Sequence, residues 1–191
     1  MPDAPGTAVH DDSPVLLRLA RRLEDSPALD GLSGTVRGVA LALVPSHGRL
    51  REELHGRSLG HALHATLTDV PVGLWTSAAV LDLVGGERSA PAAQRLVGLG
   101  VLAVAPTALT GLADYLDVDR RARRVGAVHA ALNSGVSLLY GASWLLRRGG
   151  RRRSGVAVSL VAYGLAGARA LMHISEPPSG ARISLAGFCV L

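Results

Sequence analysis

The sequence predicts an all-α fold, an integral membrane bundle of four transmembrane helices with an amphipathic N-terminal helical arm. Three observations carry that prediction. Four apolar segments, near His61–Val84, Leu96–Tyr115, Val125–Leu146 and Gly155–Met172, each approach the about 20 residues that cross a ~30 Å hydrocarbon layer. They are apolar around the whole helical circumference, where the helices of a soluble bundle would keep a charged stripe. Charged residues are 18% of the 191 and aromatic residues 3%, below the about 25% charge of a soluble domain and short of the bulk a soluble core uses.

The first element is the arm, residues 1–57. In "DDSPVLLRLARRLED", Ser13 reads as an N-cap and Pro14 as the first helical position, followed by mixed apolar and Arg residues. "LSGTVRGVALALVP" ends at Pro45 and is too short and interrupted to span. The transmembrane domain follows over residues 58–173, its segments separated by Arg-rich or Gly-rich breaks. Along the third, Ala130, Ser134, Ser137 and Gly141 allow close backbone approach, where lipid offers no hydrophobic drive to association. Residues 174–191 read as a disordered tail.

Charge and cysteine usage narrow the partners. The formal charge is +5 and all 20 basic residues are Arg. They fall between apolar runs without neighbouring aromatic stacking partners, which argues against nucleic acid and for anionic lipid. The single Cys189 excludes an intrachain disulfide or a thiolate cage. The first thirty residues carry acids and no continuous apolar core, so no signal peptide is expected.

An internal repeat emerges when the first and third segments are aligned on histidine. "HATLTDVPVGLWTSAAVLDLVGG" from His64 and "HAALNSGVSLLYGASWLLRRGG" from His129 share His-Ala-x-Leu, a mid-helix Trp or Tyr and a terminal Gly-Gly. "GLAD" at Gly111 and "GLAG" at Gly164 echo each other in the second and fourth segments. Two parallel helical hairpins related by an axis along the membrane normal are implied. His64 and His129 then begin their helices at one face, and the returning helices bring Asp114, Arg169 and His173 to it. His61 would join them on a helix already formed there, and Asn133 shares a face with His129. Ionisable groups at membrane depth point to function. The plainer account makes Asp69 a cap for a helix with Pro71 in its second turn and lets Arg169 snorkel.

Phosphate loops, nucleophile elbows, His-Glu-x-x-His and paired-cysteine metal signatures are all missing, which disfavours hydrolase and nucleotide chemistry. Asp117 and Asp119 sit beside Arg120, Arg121, Arg123 and Arg124 and read as solvated ion pairs in a loop. From about Ser13 to His173, the motifs "LGHALHATLTDVPVGLWTSAAVLDLVGG", "AAQRLVGLG", "PTALTGLADY", "RRVGAVHAALN" and "LLYGASWLLRR" resemble an uncharacterised bacterial four-helix membrane-domain family of unknown function. In actinobacterial members that domain often precedes a Rieske iron–sulphur domain, so the resemblance implies service to an electron-transfer partner and no established activity. Ala62 and Ala65 stand where the family usually has Pro. No Cys-x-His pairs follow His173, so this chain holds no iron–sulphur cluster.

Three functions fit. The first is a membrane anchor or scaffold for a Rieske-type partner, without catalysis. The second is a redox bundle binding haem or a metal through His64 and His129, with His61 and His173 as further candidates and Asp69, Asp114, Asn133 and Arg169 as an accompanying polar cluster. The third is a small transporter or proton relay using Asp69, Asp82 and the histidines. A homo-oligomer stays open. The expected location is the inner (plasma) membrane, multi-pass. Eight arginines near the spans on the terminal side face seven on the other, and the first span's flanks favour cytoplasmic termini.

Overall fold

The structure is a computed structural model that describes the backbone of residues 15–174, with side chains placed for residue 18 and residues 21–167. Ser13, Pro14 and the tail beyond residue 174 lie outside the described residues, as do the side chains of Arg169 and His173. All described regular structure is helical: α1 Val15–Glu24, α2 Asp30–Leu43, α3 Arg49–Leu54, α4 Leu63–Val84, α5 Ala90–Asp117, α6 Arg120–Arg148 and α7 Arg152–Ile174. Short 3-10 turns at Pro27–Leu29 and Glu87–Ser89 precede α2 and α5.

The four long helices form two antiparallel hairpins, α4 with α5 and α6 with α7, joined through α5 and α6. The α6–α7 turn shows how the sequence ends a helix: Arg151 N donates to Leu146 O (2.9 Å) and Gly150 N to Arg147 O (3.1 Å). Those bonds make a Schellman cap, whose left-handed position is Gly150 at φ +76°. At its other end α6 starts earlier than its apolar run. Asp119 accepts from the backbone N–H groups of Arg121 (2.8 Å) and Ala122 (2.9 Å) as N-cap, so the arginines once assigned to a loop are the first turn of a helix. Two helices meet both the length and the apolarity of a span among the described residues: α4, and residues 87–117, which comprise α5 and its preceding turn.

Packing is inverted relative to a soluble protein. Ala78, Ala93, Ala113, Ala127, Ser143 and Ala162 are nearly or fully inaccessible, Ala113 and Ala127 beneath the arm, while Leu83, Leu102, Leu138 and Leu145 are exposed. Small residues inside and large aliphatic residues outside suit helices that meet lipid. The aromatic exception is central: Trp75 of α4 stacks on Tyr140 of α6 with ring centroids 3.9 Å apart. Gly100 of α5 makes room for it, since a Cβ there would stand 2.2 Å from the indole nitrogen. Pro71 interrupts the hydrogen-bond ladder of α4 and leaves Leu67 O without its helical donor; Thr107 Oγ1 of α5 lies 3.2 Å from it, sharing its one proton with Ala103 O at 2.8 Å.

The ends of the hairpins meet at a buried ion pair. Arg147 donates through Nη1 to Asp82 Oδ1 (3.0 Å) and through Nη2 to Asp82 Oδ2 (2.6 Å). The side chains are 2% and 1% exposed. The remaining donors of Arg147 reach Ser143 Oγ (3.1 Å) and Ser159 Oγ (2.8 Å), so α4, α6 and α7 share one network.

The arm departs from a helix resting on the surface. α2 packs on α5 and α6, with Ala40 buried against Tyr115 and Ala127, and Ser33 Oγ 2.8 Å from Tyr115 Oη. Leu32, Val39 and Leu43 are exposed along the cavity that α2 covers, and Leu41 is exposed outside it. Asp30 at its start receives Arg124 Nε (2.8 Å) and Arg120 Nη2 (2.8 Å). The hydrogen bonds from Arg124 and then Arg120 lower the Asp30 pKa from 3.8 to about 2.

Asp82→Ala is expected to cost about 3–5 kcal/mol in chemical unfolding of the detergent-solubilised protein, because it strands the Arg147 charge. The pair Asp82→Leu with Arg147→Met should recover much of that loss. Equal losses in both would remove the pair from its structural role. A second outcome concerns the arm. A depressed carboxylate pKa stabilises docking above the ordinary value and loses that contribution as pH falls through the folded one. The protection of α2 amides, measured against their intrinsic exchange rates, should therefore fall between pH 3.8 and about 2 in the wild type, and Asp30→Asn should remove that step.

Candidate functional site

His64 is the second residue of α4 and leans against α5. Its ring sits over Gly111, where a Cβ would stand 2.8 Å from Cε1. Its Nδ1 lies 2.9 Å from the backbone oxygen of Thr107, with Thr110 Oγ1 at 3.4 Å. A carbonyl can only accept, so Nδ1 carries a proton, and Nε2 is the nitrogen that can offer a lone pair to a ligand. His129 lies more than two turns inside α6 and not at its start. Asn133, one turn later, places Nδ2 2.8 Å from His129 Nε2.

Both histidines line the same cavity of about 440 Å³ between α2, α4, α5 and α6. Its walls are mainly apolar, including Val36, Val39 and Leu112, with Asn133 the amide among them. The two histidines of the repeat thus reach one cavity, His64 from the start of α4 and His129 from inside α6. The repeat reaches further. Trp75 and Tyr140 each follow their histidine by eleven residues, and Asp82 and Arg147 follow by eighteen. Equivalent positions of the repeat therefore touch: the rings stack at mid-depth and the charges pair at the end. The Gly111 and Gly164 echo has no such counterpart, since Gly111 packs on His64 and Gly164 is exposed.

The other candidates lie elsewhere. His61 precedes α4, because the helix starts only at Leu63, and is exposed. Its ring nitrogens are taken locally by Leu59 O (3.0 Å) and Thr66 Oγ1 (2.9 Å). Asp69 is inside α4 and exposed; the N-cap position is Ala62, which has no side-chain bond to offer. Asp114 turns from the histidine cavity to His55, the C-cap of α3, whose Nδ1 lies 2.8 Å from Asp114 Oδ1. His55 Nε2 is buried 3.1 Å from Asp117 Oδ2 yet out of line for a hydrogen bond, and Arg51 pairs with Asp117. His55, Arg51 and Asp30 were missed because their partners are 59 or more residues away in sequence. Asp82 with Arg147 had a signal, the equal offset from the two histidines.

The chemistry on offer is limited. Among the described residues, no group of three or more His, Cys, Asp or Glu could hold a metal ion. His129 Nε2 lies 2.8 Å from Asn133 Nδ2, so a ligand binding at that nitrogen would have to displace the amide.

A family model described as "Predicted membrane protein (DUF2231)" matches residues 60–185. Neither a curated protein nor a solved structure matches the chain.

Gly111→Val should drive the His64 ring off α5 and break its bond to Thr107. The expected cost is about 1–3 kcal/mol of overpacking in unfolding experiments. Gly135→Val, at a glycine of α6 with open space around it, serves as the control and should cost less.

Proposed function

Because this chain belongs to the predicted membrane protein family DUF2231, we propose that it is a four-pass inner-membrane module that binds an amphiphilic ligand between its hairpins. The carrying observation is that two repeat-equivalent histidines on different helices line one largely apolar cavity. The apolar walls would take a hydrocarbon or aromatic body. His64 Nε2 would accept a hydroxyl proton or ligate a metal at the ligand's edge, and the His129–Asn133 pair would position a carbonyl or hydroxyl. A haem held through His64 alone is one ligand of this description.

Four passes are supported by dimensions and pairing. At about 1.5 Å per residue, α6 with 29 residues is ~43 Å long and α7 with 23 is ~34 Å, enough to cross. The polar residues that reduce the apolarity of α6, His129 and Asn133, line the internal cavity. The resemblance to Rieske-fused proteins supports a place beside an electron-transfer partner, with binding and anchoring in place of catalysis. Cytoplasmic termini are the orientation the arginines flanking the first span favour.

Two measurements test this. Detergent-purified protein should carry a bound organic ligand, seen by native mass spectrometry or as an absorption band, that drops about tenfold or more in His64→Ala, in line with ~1.4 kcal/mol per decade of affinity. A ligand-free wild type from cofactor-replete cells leaves only the anchor. For topology, a reporter at Gly150 should give a periplasm-type signal and one at Leu191 a cytoplasm-active signal; the reverse pattern overturns the orientation.

A further inference from the structure

At the end of the bundle that holds the buried ion pair, a second cavity of about 320 Å³ opens between the starts of α5 and α7, lined by Ala90, Pro91, Gln94, Arg95, Arg147 and Arg152. We propose that this cavity binds a phosphate group, and that the phosphate is the headgroup of an anionic phospholipid. Three guanidinium groups face it. The carboxylates near them are Asp82, 1% exposed, held by both Nη atoms of Arg147 and 3.5 Å from Arg152 Nη2, and Glu87, 84% exposed and 3.1 Å from Arg152 Nη1. Positive charge is in excess there, and it is only partly spent. Arg152 Nε is buried with no hydrogen-bond acceptor, and Arg95 has no ion pair among the described residues. An orphaned buried guanidinium N–H is costly, and a phosphate oxygen satisfies it by a charge-assisted bond. The amide of Gln94 and the positive end of the α5 dipole add to the same preference.

The surroundings select a lipid as the source. Leu99 and Leu102 follow Arg95 by four and seven residues on the same side of α5, and they are 52% and 71% exposed. A headgroup held at Arg95 therefore has an apolar strip running from it toward the bilayer interior, as acyl chains require. Basic pockets between transmembrane helices take anionic headgroups in this manner. The pocket is separate from the histidine cavity and does not depend on what that cavity holds.

The test uses the full chain in detergent micelles with native mass spectrometry, titrating phosphatidylglycerol, phosphatidylcholine or inorganic phosphate. Phosphatidylglycerol is expected to stay bound where phosphatidylcholine does not. Arg95→Gln should weaken its retention about fivefold, corresponding to ~1 kcal/mol for one arginine at the headgroup. Arg148→Gln should leave it unchanged, because Arg148 stacks over Trp144, 4.8 Å from the ring centre, and is no part of the cavity wall. Arg95 makes no contact that the fold needs, so the lipid-free melting temperature of Arg95→Gln should match wild type. Displacement of phosphatidylglycerol by millimolar inorganic phosphate would assign the cavity to free phosphate and overturn the lipid. Equal losses in the two variants, or equal retention of both lipids, would overturn the site.

Discussion

A carboxylate and a guanidinium that are almost wholly removed from solvent must satisfy each other and every remaining donor, and that demand organises this bundle. Arg147 engages both oxygens of Asp82 and the hydroxyls of Ser143 and Ser159, which brings the end of α4, the end of α6 and the start of α7 to one point. The constraint extends to the backbone. Ser143 Oγ donates to Gly155 O at 2.7 Å, and a Cβ at Gly155 would stand 2.6 Å from Arg147 Cγ, so only glycine lets α7 approach this closely. In a low-dielectric setting such a network tolerates little displacement of any member, because each lost partner leaves an uncompensated charge or hydroxyl.

The two hairpins are pinned twice along their shared axis, by this pair at one end and by the Trp75–Tyr140 stack at mid-depth. Toward the other end the space between α2, α4, α5 and α6 opens as the His64 and His129 cavity. Its outer wall comes from a part of the chain that is not a spanning helix. α2 is held over the opening through Asp30 with Arg120 and Arg124, and through Ser33 with Tyr115. Cavity and closure thus draw on different chemistry, with small and aromatic residues setting the hairpin spacing and charges on the polar end of α6 placing the wall.

The same division accounts for the inverted packing. Helices that meet lipid gain nothing from hiding leucine, so the interface between them is selected for close approach and for hydrogen bonds that have no water to replace them. Thr107 donating to the carbonyl that Pro71 leaves without a helical donor is one case, and the serines around Arg147 are another.

Helical class, the two apolar spans of the first hairpin and the repeat were legible in the sequence because each depends on local periodicity or on spacing within the chain: apolarity around a helix, Gly-Gly at its end, and His, Trp or Tyr and a charged residue at matched offsets. Family membership follows from the same linear pattern over residues 60–185. Tertiary structure alone decided which of the polar groups meet. His55 with Asp114, Asp30 with Arg124, and the separation of His61 and Asp69 from the histidine cavity depend on where α2 and α3 fold back and on the residue at which α4 begins. An ion pair between residues 59 or 94 positions apart leaves no mark on local sequence. Its strength depends on distance and burial, and those exist only once the helices are packed.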